Sequence, residues 1–270
     1  DAARHGVGAA PVDVNASNAL CTVEADAASA SGWCVRVGLG YVRGVSYADA
    51  QRLERERSSG GVFTGIDDLA RRAPLRTDQL EQLVMAGACD SFAASRRQLL
   101  WQLGLVARSS GGQGALEIAP PAAPELSQLS LWDEVVLDFS TQGLSTRAHP
   151  VELLRPVLGD RVVTIAEVAA APHGARVDVV GAVVARQKPP TARGVVFLLL
   201  EDESGTANVI VGRELYQRQR LVIRGEPLLR IEGRLERQGD VWNVIARDVH
   251  RLPAELRSRA PRRIRAKNFG

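Results

Sequence analysis

The stretch Thr191-Ala192-Arg193-Gly194-Val195-Val196-Phe197-Leu198-Leu199-Leu200-Glu201-Asp202-Glu203-Ser204-Gly205-Thr206-Ala207-Asn208-Val209-Ile210-Val211 decides the fold. Val195 to Leu200 is an apolar run of strand length, and Glu203-Ser204-Gly205 closes it with turn residues. Ala207, Val209 and Val211 then recur at every second position, the period of one strand face. The same period extends outward in both directions. Upstream, Val177, Val179, Val183 and Ala185 alternate with more polar positions from Arg176 onward. Downstream, Leu229, Ile231 and Leu235 alternate with Arg230, Glu232, Arg234 and Glu236, and Gln238-Gly239-Asp240 turns the chain into a last strand, Val241 to Val249. Arg213 to Arg220 leaves room for one helix. Five strands with a helix between the third and fourth is the order of an OB-fold barrel, here expected over residues 175–252.

Residues 35–108 follow a helical period instead. Ser46 and Asp49 have capping-box spacing and predict a helix from Tyr47 to Arg57, stopped by Ser58-Ser59-Gly60-Gly61. A short helix, Asp67 to Arg72, ends before Pro74. Thr77 is placed to cap the next, whose Leu80, Leu83 and Val84 share a face and which Gly87 terminates; another runs from Ser95 to Ala107. Residues 1–34, Ala-rich and broken by Pro11, Asn15 and Asn18, read as an irregular lead-in. Residues 109–127 are a Gly/Pro-rich linker and the clearest boundary; 128–174 hold a short helix, Asp133 to Phe139, and a connector; 253–270 form a tail. The fold class expected is α+β, a helical module followed by a five-stranded barrel.

Composition narrows the function classes. With 270 residues, 45% apolar content and a net charge of +3, the chain has ample core and no strongly basic body. Its positive charge is local: the last twenty residues hold seven Arg and Lys against Glu255 alone, which leaves the rest slightly acidic. Such a tail is either a solvated segment or a contact for phosphates or an acidic partner. Cys21, Cys34 and Cys89 form no C-x-x-C pair, which argues against a disulfide framework or zinc site and fits a reducing cytoplasm. No apolar run approaches the length of a membrane span. The chain opens at Asp1 without a methionine, so a fragment of a longer polypeptide is expected.

Three stretches are candidate contacts. Val42-Arg43-Gly44-Val45-Ser46, leading into a helix, has the outline of a helix-hairpin-helix, in which a glycine lets the backbone approach a phosphate and helix-opening amides face it; an ordinary helical turn is the alternative. Its first helix would contain Gly38 and Gly40, poor helix formers. On the barrel, Arg186, Lys188 and Arg193 flank the first loop, with Phe197 beyond it and Arg234 on the fourth strand, the cations and flat surface that single-stranded nucleic acid requires. The plainer alternative makes Phe197 and Trp242 core and the arginines a solvated rim; for Trp242 that alternative is preferred. Gln128-Leu129-Ser130-Leu131-Trp132 offers a polar anchor, two leucines and an aromatic for insertion into a groove, or else simply leads a helix. Catalysis finds no support. Glu201-Asp202-Glu203 reads as solvated acids at a turn, and His5, His149, His173 and His250 are scattered. With no phosphate-cradling GxxxxGK[ST] loop either, no catalytic or metal-binding residue is expected.

Several stretches together resemble the error-prone DNA polymerases related to the alpha subunit of DNA polymerase III. Thr191 to Val211 is similar to their OB-fold signature, in which Lys commonly stands at the position of Arg193. Arg4-His5-Gly6-Val7 and Pro11 to Ser17 resemble the end of the fingers region. Tyr41-Val42-Arg43-Gly44-Val45, Leu69-Ala70-Arg71-Arg72 and Ala86 to Phe92 resemble the tandem helix-hairpin-helix region, and Thr141 to Pro150 the connector before the barrel. Gln128 to Trp132 looks like the sliding-clamp-binding pentapeptide, with Trp132 where Phe or Leu is usual. Ser46 stands where the usual hairpin has a second glycine. The resemblance implies that Arg43, Gly44, Val45 and Ser46 contact duplex backbone, that Arg186, Lys188, Arg193, Phe197 and Arg234 contact single-stranded template, and that Gln128, Leu129, Leu131 and Trp132 contact the sliding clamp. It implies a part in translesion synthesis after DNA damage. The family's palm, with its carboxylates and divalent magnesium, has no counterpart among these stretches, so this chain carries no cofactor of its own. The alternative is a non-catalytic module that docks the clamp and other mutasome proteins.

Overall fold

The computed structural model describes residues 6–73, 75–109, 126–253 and 267–269. It falls into two compact units, Asp1–Arg147 and Ala148–Gly270. Arg4, His5, most of the 109–127 linker and most of the basic tail lie outside the described residues.

The first unit opens with a small sheet. β1 (Gly8–Ala10) runs parallel to β3 (Trp33–Arg36), and β2 (Thr22–Ala25) pairs antiparallel on its other side, with Gly8 opposite Cys34 and Val23 opposite Val35. The lead-in expected to be irregular is therefore partly ordered, and its Val12, Val14 and Ala19 are buried in one core with the helices that follow. The first helix of the expected hairpin is absent. Leu39–Tyr41 make a single 3₁₀ turn, packed so closely that a Cβ on Gly38 would lie 2.5 Å from the Leu20 carbonyl carbon.

Among the described residues five helices complete the unit: α1 (Tyr47–Gly60), α2 (Ile66–Arg72), α3 (Thr77–Met85), α4 (Arg96–Ser109) and α5 (Leu131–Thr141). The α1 capping box forms as expected: Ser46 Oγ accepts from the Asp49 amide, and Asp49 Oδ2 accepts from the Ser46 amide, each at 3.1 Å. α1 continues past Arg57 to Gly60, where the Ser58 and Ser59 hydroxyls donate back to the Glu54 and Arg55 carbonyls instead of turning the chain, and Gly61, at φ 78°, takes the end. Arg76 rather than Thr77 occupies the N-cap of α3; Gln79 Oε1 accepts from its amide at 3.0 Å.

α5 belongs with the helices before the linker, so the unit boundary lies at Arg147, beyond the Gly/Pro-rich stretch. Arg96, with 3% of its side chain exposed, bonds Asp90 Oδ2 at 2.9 Å, Asp138 Oδ1 at 3.1 Å and the Met85 carbonyl at 3.0 Å. Gln142 Nε2 donates to the Ala86 carbonyl at 2.8 Å. Burial raises the Asp138 carboxyl above its ordinary value despite the nearby arginine.

The second unit begins with α6 (Pro150–Leu158) and α7 (Ile165–Ala170) and continues into the barrel: β4 (Arg176–Gln187), β5 (Val196–Asp202), β6 (Gly205–Val211), α8 (Arg213–Gly225), β7 (Leu228–Gln238) and β8 (Val241–Arg251). The strand order is β5-β6-β8-β7-β4, closed by pairing of β4 with β5; β6 and β8 run parallel and the other barrel pairs antiparallel. This is a five-stranded OB-like barrel. One twelve-residue strand closes it because β4 bulges between Val183 and Ala185, so its first half pairs with β7 and its second with β5. Val179, Leu200, Val209, Leu229, Ile231, Leu235 and Val244 fill the interior at 0% exposure.

α8 runs five residues past the expected end, through a non-helical Gln219 whose Oε1 accepts from the Val249 amide at 3.0 Å. Leu215, Tyr216 and Ile223 set it into the barrel core. Asp202 is not a solvated acid. It is 3% exposed and accepts from Arg155 Nη2 at 2.7 Å and from the amides of Ile165 and Ser204 at 2.8 Å, joining α6, α7 and the β5–β6 turn. Within the tail, β9 (Lys267–Phe269) pairs parallel with Ala185–Gln187.

Candidate nucleic-acid interface

The hairpin from Val42 to Ser46 is an exposed backbone loop on a buried base. Val42 and Val45 are 1% and 5% exposed, so Val45 anchors the loop in the core and does not present a side chain to a ligand. Between them Gly44 turns the chain at φ 82°, a region that favours glycine. The loop is braced on both sides: the Arg43 amide donates to the Thr141 carbonyl at 2.8 Å, and Gln79 Nε2 donates to the Gly44 carbonyl at 2.9 Å and Asp49 Oδ2 at 2.8 Å. The Ser46 hydroxyl, with Arg52 and Gln79, holds the Asp49 carboxyl well below the usual carboxylate range. Ser46 is thus occupied as the helix cap. The amides of Gly44, Tyr47 and Ala48, on three exposed residues, remain without a hydrogen-bond partner among the described residues, at the positive end of the α1 dipole. Arg43 stands exposed beside them. This arrangement can take one phosphate without reading a base.

The barrel brings together residues that the chain keeps far apart. Phe197 is 37% exposed, so it points outward and is not core. Register sets it opposite Ile210, Ile210 beside Ile245, and Ile245 opposite Arg234. Phe197, Ile210, Ile245 and Arg234 therefore form one row across β5, β6, β8 and β7, an apolar strip ending in an exposed cation. Ile210 and Ile245 had no sequence signal of their own; only the parallel β6–β8 register places them here. Trp242 is partly buried against the barrel core.

The loop cations divide. Arg193 is exposed and, at φ 49°, is the one non-glycine residue at positive φ among the described residues. Lys188 is exposed and sets its Nζ 4.6 Å from the Tyr216 ring centroid, a cation–π contact that steadies it against α8. Arg186 is turned away: its Nε donates to the Ile223 carbonyl at 2.8 Å and an Nη donates to the Glu226 carbonyl, and burial pulls its guanidinium below the ordinary value. It caps the C-terminus of α8 and is not free to hold a strand.

Gln128 to Trp132 is only partly extended. Ser130 caps α5 through a box with Asp133, so Leu131 and Trp132 open the helix. Leu131 is 48% exposed, and Gln128 and Leu129 line an open hollow with Asp90, Arg96 and Arg147. No cluster of three or more His, Cys, Asp or Glu residues able to hold a metal ion occurs among the described residues. No helix among them is long and apolar enough to cross a membrane.

Comparison with known proteins accords with this geometry. Residues 6–99 match a helix-hairpin-helix motif, a match that takes in the small sheet as well as the hairpin. An error-prone DNA polymerase of Anaeromyxobacter dehalogenans (strain 2CP-C) is 42% identical over 252 residues, 90% of this chain and 22% of its own length. That of Azoarcus sp. (strain BH72) is 41% identical over 254 residues, 92% of this chain and 23% of its own. Error-prone DNA polymerase 2 of Rhizobium meliloti (strain 1021) is 35% identical over 273 residues, 97% and 25%. The chain is homologous to a part of the error-prone DNA polymerases. It spans about a quarter of the length of these curated relatives. The family resemblance, the hairpin motif and the barrel read from the sequence are all borne out.

Proposed function

We propose that this chain is the DNA-handling part of an error-prone DNA polymerase that acts in translesion synthesis. The helical unit holds duplex backbone at the Arg43–Ser46 hairpin, and the barrel holds single-stranded template along Phe197, Ile210, Ile245 and Arg234, with Lys188 and Arg193 at its edge. The observation that carries the first half is the set of amides at the exposed residues Gly44, Tyr47 and Ala48, without a partner among the described residues and within a helix-hairpin-helix match. The second half is supported by an outward Phe197 in register with Arg234. Fluorescence anisotropy with labelled primed duplex and labelled single strand, each at low and high salt, tests both. Binding to each that weakens steeply with salt is expected, because phosphate contacts release counterions. No binding at low salt would reject the reading in favour of a partner-docking module for mutasome proteins.

Sliding-clamp docking through Gln128, Leu129, Leu131 and Trp132 is a second reading, favoured by the exposure of Leu131. It requires the Ser130 cap to open for the peptide to extend. Immobilised clamp should bind the chain and lose affinity with Gln128→Ala and Trp132→Ala; equal affinity in both variants would exclude it.

A further inference from the structure

The outer face of the barrel carries a hollow of about 340 Å³ lined by Arg161, Arg176, Arg230 and Arg247. Val163, Val177 and Gly233 also line it. Two carboxylates share the site with the four guanidinium groups. Asp178 is gripped by Arg230 through two parallel hydrogen bonds, and Glu232 lies 3.4 Å from His250 Nε2. Arg161, Arg176 and Arg247 are exposed, and their side chains make no hydrogen bond or ion pair among the described residues. Register sets Arg176 directly opposite Arg234, a like-charge pair that opposes the ladder it sits on. The ladder is also broken here. Glu232 pairs with Asp248 and Gly233 with Ala246, so the bulge leaves Arg247 without an opposite residue and turns it to the rim.

We propose that this hollow binds phosphate oxyanions through Arg161, Arg176 and Arg247. Guanidinium forks match phosphate oxygens bidentately, and three uncompensated forks around one concavity are relieved of mutual repulsion when an oxyanion enters. The bound phosphate comes either from a nucleic-acid backbone or from a free polyphosphate. The proposal stands whether or not the Phe197 row holds a strand.

The test uses the full chain and two probes, sodium tripolyphosphate by isothermal titration calorimetry and labelled oligodeoxythymidylate by fluorescence anisotropy. Arg176→Gln and Arg247→Gln remove one charge each at the hollow; Arg218→Gln removes one at an exposed position of α8 that does not line it. Each hollow variant is expected to weaken at least one probe by about tenfold, the loss of a charge-assisted contact, while Arg218→Gln stays near wild type. A loss confined to the oligonucleotide names a strand backbone as the source, and one confined to tripolyphosphate names a free polyphosphate. Wild-type chain that binds neither probe, or three variants that lose affinity equally, overturns the site. Binding of both probes that survives both hollow variants, with oligonucleotide binding lost in Phe197→Ala, would leave the strand face intact while removing the hollow.

Discussion

Gly44 shows what a single position contributes. A Cβ there would meet only Gln82 Cγ at 3.8 Å, so there is room for a side chain, and the cost of one is conformational. Gly44→Ala is expected to destabilise the helical unit by about 1 kcal/mol, read from urea unfolding, and to weaken duplex binding by retilting the loop. Asp49 makes the complementary prediction. Its carboxyl is depressed by Ser46, so the folded state favours the charged form: the stabilisation is present above the unfolded carboxyl value and lost as pH falls through the folded one. Asp49→Asn should therefore cost about 1–2 kcal/mol at neutral pH, with the gap to wild type shrinking once pH drops below about 4. Urea midpoints of both proteins across that range measure it. The Ser46–Asp49 box was legible in the sequence because capping is local. The clasp from Gln79, thirty residues on, was not, because nothing local marks which buried carboxylate a distant amide will reach.

Among the elements, the barrel strands were legible because alternation of period two survives in a sheet with one face inward. The β1–β3 sheet was not, since Ala-rich segments carry little contrast between faces. The seating of α8 was hidden for a different reason. Arg186 has the composition of a nucleic-acid contact, and only its orientation shows that it serves the helix end. Arg186→Gln is accordingly expected to destabilise the barrel unit by about 1–2 kcal/mol while leaving single-strand affinity within about twofold of wild type, read by urea unfolding and anisotropy. α5 depends on Arg96 in the same way. Arg96→Ala leaves Asp138 with only the longer Arg147 pair at 3.7 Å and the Ser145 hydroxyl, and should cost about 3 kcal/mol, the low end for breaking a buried ion pair. Limited proteolysis near Leu131 should accelerate in that variant.

Across the whole molecule, the linker was visible as composition but misplaced the division. Gly and Pro between 109 and 127 interrupt the sequence pattern, yet α5 beyond them belongs to the helical unit, tied there by Arg96–Asp138 and Gln142–Ala86. Composition reports local order; which contacts cease, and therefore where a unit ends, depends on pairs far apart in sequence. The proposed division of labour between the two units is likewise a property of the whole chain. Its most direct test is a crossed anisotropy titration of wild type, Arg43→Gln and Phe197→Ala against primed duplex and single strand in one low-salt buffer. Arg43→Gln should lose about fivefold on duplex and little on single strand, and Phe197→Ala about tenfold on single strand and little on duplex, in keeping with one phosphate contact and one stacking contact. Equal losses on both DNA forms in either variant, or none, would contradict the account.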